Sequence, residues 1–160
     1  MKNRNMEEIK KWIILLLGAD NGRPIRGKLM FQKEMFILAY DILQKLGILS
    51  KEEVERIFNF KPHYYGPYSK KIEDTLNLLQ QQGLVKVEKQ DDVIIYTLTD
   101  KGKNEFKKVL DKQGDDVIKL IEKLKIGSER LGYKGLLKYV YINYPEFIDR
   151  SLIKDEVLGG

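Results

Sequence analysis

A mainly α-helical α+β fold with one small β-hairpin is what this sequence predicts, and three observations predict it. Residues 64–85 join a Gly66-Pro67 turn, an amphipathic helix and the start of a strand. Two β-branched runs at 84–88 and 93–98 are separated by Lys89-Gln90-Asp91-Asp92, which is a hairpin signal. The other apolar runs repeat at intervals of three and four, the period of a helix with one buried face.

At 160 residues the chain falls in the range of one domain that buries a substantial core. The expected organisation is a main domain over 1–112 and a C-terminal helical extension over 113–160 that serves dimerisation. A net charge of +5 fits a nucleic-acid partner, but a third of the residues are charged in both signs, so the excess is modest. With no cysteine and one histidine, disulfides, thiol nucleophiles and the usual zinc clusters are excluded. The apolar run 12–19 is shorter than the roughly 20 residues that span a bilayer. Glu7 and Glu8 interrupt the basic start, which argues against a secretory signal. The expectation is therefore a cytoplasmic protein with no membrane segment, no metal and no cofactor.

Residues 6–18 read as the first helix, apolar over most of its circumference through Ile9, Trp12, Ile13, Leu16 and Leu17. Residues 20–24 are a turn by composition. A second helix is expected to begin near Ile25 or Lys28 and to run to Gly47, a helix stop. Ser50 and Glu53 match a capping box, so a short helix begins there, with Val54, Ile57 and Phe58 on its buried face. After Gly66-Pro67, the positions Tyr68, Ile72, Thr75, Leu76 and Leu79 share one face of a helix that Gly83 ends. Thr99 is placed to cap a further helix with Phe106, Val109 and Leu110 inside. Residues 115–125 form the next, Gly127, Gly132 and Gly135 loosen the chain, and 136–144 form an aromatic-rich helix stopped by Pro145. Residues 151–158 are expected to add a last turn or two.

This order reads as a winged helix-turn-helix with additional N- and C-terminal helices, the recognition helix at about 68–82 and the wing at about 84–98. The segments IEDTLNLLQQQGLVKVE and YTLTDKGKNEF resemble the helix-strand-wing-strand part of the MarR and PadR groups of winged-helix regulators. Over residues 25–102, IRGKLMFQKEMFIL, FNFKPHYYGPYS and the following helix with GLV resemble the YwgA-like and archaeal winged-helix proteins, and more loosely the Panacea-domain antitoxins. These resemblances imply a winged helix and, for many members, transcriptional regulation.

The candidate site follows from that placement. Lys70, Asp74, Asn77 and Gln81 line the polar face of the 68–82 helix, where a winged helix makes base contacts; the bland alternative is a solvated face. Ser69, Lys70 and Lys71 are expected near phosphates, Asp74, Asn77 and Gln81 near base edges, and Lys86 and Lys89 on the wing. Asp91 and Asp92 at the wing tip would repel phosphates. Two of the three tyrosines Tyr64, Tyr65 and Tyr68 are expected to anchor the turn. Arg23, Arg26 and Lys28 read either as a phosphate clamp or as a soluble turn. No nucleophile with a base, phosphate loop or metal spacing points to an enzyme. The expected partners are double-stranded DNA and a second copy of the chain, paired through the Trp12 helix and residues 136–144. The alternative is an antitoxin-like module that binds protein and not DNA.

Overall fold

The computed structural model describes residues 2–148, so the turn expected at 151–158 lies outside the described residues. They form a mostly helical chain with a small antiparallel sheet, in the order α1 (Lys2–Gly22), β1 (Ile25–Arg26), α2 (Lys28–Ile37), a π-helical stretch (Leu38–Gln44), α3 (Lys51–Phe58), α4 (Lys70–Gln81), β2 (Val85–Gln90), β3 (Val93–Leu98), α5 (Asp100–Gln113), α6 (Asp115–Asn143) and a 3-10 turn (Pro145–Phe147).

Helix α1 is buried from Trp12 to Ala19 and lies at the centre, with α3, α4, β3, α5 and α6 packed around it. It starts earlier than residue 6, because nothing in the polar Lys2–Asn5 segment breaks a helix. Asp20 and Asn21 take left-handed backbone geometry and end it. Of the two expected starts for α2 the structure takes Lys28. Ile25 and Arg26 instead pair with Tyr96 and Ile95, giving the sheet order β1-β3-β2. Gly27, with a φ of 102°, turns the chain from strand to helix and donates its N–H to the Ile94 carbonyl at 2.7 Å. The second helix also changes character: beyond Ile37 it widens into the π-helical stretch, which aims Asp41 at the hydroxyls of Tyr139 and Tyr144.

Local end signals hold. Ser50 and Glu53 make both bonds of the capping box, and Thr99 accepts from the Gly102 N–H at 3.0 Å. The hairpin is tighter than the four-residue separation expected, since Gln90 pairs with Val93 and only Asp91 and Asp92 form the loop. Their φ values of 50° and 65° are those of a type I′ turn, which favours Asn, Asp and Gly. The acidic tip thus has a conformational cause.

The conjunction of Thr99 and Gly102 also ties α5 to the start of the hairpin. The Thr99 hydroxyl donates to the Gly83 carbonyl, and a Cβ on Gly102 would stand 2.1 Å from the Leu84 carbonyl oxygen. That neighbour is backbone and cannot rotate away. Gly102→Ala is therefore expected to cost about 3 kcal/mol, the upper range for overpacking; a denaturation midpoint unchanged from the parent would refute the close approach.

Of the three glycines expected to loosen the C-terminal half, only Gly132 breaks the helix, with φ 70° and ψ 179°, while Gly127 and Gly135 are helical. Residues 115–148 belong to the same apolar core as the rest: Ile121, Leu136, Leu137, Val140, Tyr141 and Phe147 are buried with Trp12 and Phe36. Most of the apolar surface expected to pair two copies is packed inside one chain, while Ile142 is 61% exposed. Trp12 is 0% and Tyr141 1% exposed.

Candidate nucleic-acid interface

Helix α4 is amphipathic in both senses that a recognition helix needs. Ile72, Thr75, Leu76 and Leu79 are buried, and Lys70, Asp74, Asn77 and Gln81 are exposed along the opposite side. Its N-terminus is held from three directions. The Ser69 hydroxyl accepts from the Ile72 N–H at 3.2 Å and donates to the Phe58 carbonyl. Gln32 of α2 brackets the Ser69 backbone, donating to its carbonyl at 3.0 Å and accepting from its N–H at 2.8 Å. The Tyr68 hydroxyl donates to Glu73, whose carboxylate lies 3.9 Å from the Lys28 ammonium. Burial, and then the Glu73 carboxylate, raise the Tyr68 pKa, so the hydroxyl keeps its proton.

Ser69 is the one proposed phosphate ligand that this arrangement removes. It is fully buried and its hydroxyl is engaged on both sides, so it caps the helix and cannot reach a solvent-side ligand. Lys71 is half-buried and donates to the Arg56 carbonyl at 2.9 Å. The other cations are exposed, and each stands beside an acid: Lys70 at 2.9 Å from Asp74, Lys86 at 2.6 Å from Glu88 and Lys89 at 3.7 Å from Asp92. The Asp74 and Glu88 partners raise the pKa values of Lys70 and Lys86. Residues 51–92 carry seven Lys and Arg against eight Asp and Glu, so the chain's positive excess lies elsewhere.

Of the three tyrosines of the turn, Tyr68 is half-buried, Tyr64 and Tyr65 are 49% and 40% exposed, and the Tyr65 carbonyl accepts from the Tyr133 hydroxyl at 2.9 Å. His63 is exposed beside Tyr64 and Tyr68. The cations of the early turn do not form a clamp. Arg23 pairs with Asp20 and Glu129, Lys28 with Glu73, and Arg26 on β1 makes no ion pair among the described residues. Among the described residues no group of three or more His, Cys, Asp or Glu is placed to hold a metal, and no helix is long and apolar enough to cross a membrane.

The residues that the sequence reading passed over are Gln32, Lys33 and Glu34, three consecutive polar residues buried in α2. Successive helical residues point about 100° apart, so the three reach three different neighbourhoods. Gln32 holds Ser69. Lys33 lies under the Gly66 turn, 5.5 Å from the Tyr133 ring, and its ammonium has no hydrogen-bond partner among the described residues. Burial pulls its pKa down to about 7. Glu34 faces Lys125 of α6, whose own three donors go to the Leu17, Ala19 and Arg23 carbonyls at 3.3, 2.8 and 2.8 Å and close the end of α1. A signal was present: Phe31, Met35, Phe36 and Leu38 occupy one side of the helix and Met30 and Ile37 the other, and a helix apolar on both sides buries its polar residues too.

No protein-family model, curated protein or solved structure matches this chain.

Proposed function

We propose that the chain is a winged-helix protein that binds double-stranded DNA sequence-specifically as a transcriptional regulator, with α4 in the major groove and the β2–β3 hairpin as the wing. The observation that carries this reading is the exposed row Lys70, Asp74, Asn77 and Gln81 on a helix whose other face and N-terminus are locked into the core. A rigid helix presenting amides and a cation suits base-edge and phosphate contacts. Exposed ion pairs are worth about 0–1 kcal/mol, so a phosphate can take Lys70 from Asp74 at little cost. Anisotropy with genomic duplexes tests the proposal. Log affinity should fall with log salt, and Lys70→Ala should lower that slope by about one. Two copies reading two half-sites would pair through exposed apolar residues of α6 such as Ile126 and Leu131, not through the core helices.

A second reading, a protein-interaction module that does not bind DNA, is favoured by one specific observation: the helix and hairpin surface is electrically balanced, each exposed lysine facing an acid. Such a surface lacks the counterion release that drives non-specific DNA binding. Absence of affinity for every duplex at low salt, together with one stoichiometric protein in a pull-down, would select this reading over the first.

A further inference from the structure

On the side of α2 that carries Glu34, a cleft of about 380 Å³ opens between the α1–β1 connection, β1 and α6. Ile25 and Met30 supply apolar wall, and Arg23, Arg26, Lys125 and Glu129 supply charge. Two of its groups are uncommitted. The Glu34 carboxyl is 4% exposed, lines the cleft, and makes no hydrogen bond or ion pair among the described residues. Arg26 at the rim is exposed and likewise makes none. The remaining charges are already used, since Arg23 and Glu129 pair with each other and the Lys125 donors all go to carbonyls. A buried carboxyl without a hydrogen bond is costly to retain, and its place in the lining of a cleft gives it a use.

We propose that this cleft is a ligand site for an oxyanion carried on a compact apolar body, a small organic carboxylate. The guanidinium of Arg26 takes the oxyanion by two parallel N–H bonds, and Glu34 donates its carboxyl proton to the same group. The charges about Glu34 favour an anion: Arg23, Arg26 and Lys125 outnumber Glu129 and Asp20, both of which pair with Arg23, and burial raises the Glu34 pKa to about 8 although Lys125 pulls it down, so the acid holds its proton at neutral pH. Met30 and Ile25 accept the apolar body. The site lies on the helix that holds the α4 cap, because Gln32, two residues from Glu34, brackets Ser69.

Amide NMR of the full chain tests this with benzoate, inorganic phosphate and butylammonium as probes. Benzoate at neutral pH should move amides in 23–34 and 125–129 saturably, and Arg26→Gln should weaken that binding about tenfold or more, as loss of a charge-assisted pair does. Arg26 is exposed, so the variant keeps its fold. Glu34→Gln retains a donor of the same shape; it should still bind benzoate, and should reduce the loss of affinity that the parent shows as pH rises past about 8, the remainder coming from Lys125, which loses its charge in the same range. Benzoate shifts scattered over the surface, or unaffected by Arg26→Gln, would overturn the site. Phosphate binding as tightly as benzoate would overturn the apolar body, and tighter binding of butylammonium would overturn the sign of the ligand.

Discussion

Lys33→Met is expected to stabilise the fold by about 3–4 kcal/mol at neutral pH, an unusual direction for a change in a core helix. The amine is fully buried and its nitrogen has no hydrogen-bond partner among the described residues. Burial lowers its pKa from 10.5 to about 7. Between those values the unfolded chain binds more protons than the folded one, so this lysine makes stability rise with pH across that window. Its penalty is full below about 7 and vanishes above 10.5. Methionine is nearly as long, fills the space under Gly66 and Tyr133, and carries no charge to desolvate. Lys125, lowered to about 8, contributes a rise in part of the same window, so the informative quantity is the difference between variant and parent. Urea unfolding at a series of pH values should show that difference largest near neutrality and shrinking toward pH 10. A variant less stable than the parent at neutral pH would mean that the amine has a partner it cannot lose.

Tyr141→Asp is expected to abolish folding of the single chain and not merely to separate two copies. Tyr141 is 1% exposed and packs in the core with Leu137 and Val140, which are 0% exposed. Removing a buried aromatic ring costs about 3–5 kcal/mol, and burying an unpaired carboxylate adds several more. The sum approaches or exceeds the total stability of an ordinary domain, about 5–15 kcal/mol. Circular dichroism of the variant should show no cooperative thermal transition. A variant that stayed folded and only halved its mass in light scattering would restore this segment to a dimer interface.

The elements that were legible in the sequence are those whose causes lie within a few residues. Ser50 with Glu53, Gly83 after Gln82 and Thr99 before Gly102 each satisfy or terminate backbone groups one turn away, and α3 and α5 begin and α4 ends where these residues say. The exposed row of α4 was legible for the same reason, because a helix that buries Ile72 and Leu79 must turn Lys70, Asn77 and Gln81 outward. At Ser69 the sequence leaves two roles open, because the residue type that caps a helix is also one that binds phosphate, and only its burial in the structure separates the two.

By itself, then, the sequence determined a mainly helical chain with one hairpin, the ends of most elements and the polar side of α4, all consequences of hydrogen bonds and periodicity that span one or two turns. Tertiary structure decided what those spans cannot reach. It set Ile25 against Tyr96, turned the Trp12 helix and residues 136–141 into one shared core, and buried Gln32, Lys33 and Glu34 on three sides of α2. Apolar burial is non-directional, so a greasy face is equally satisfied by its own chain or by a second copy. Which of them covers it depends on how the whole chain closes, and here the chain covers its own.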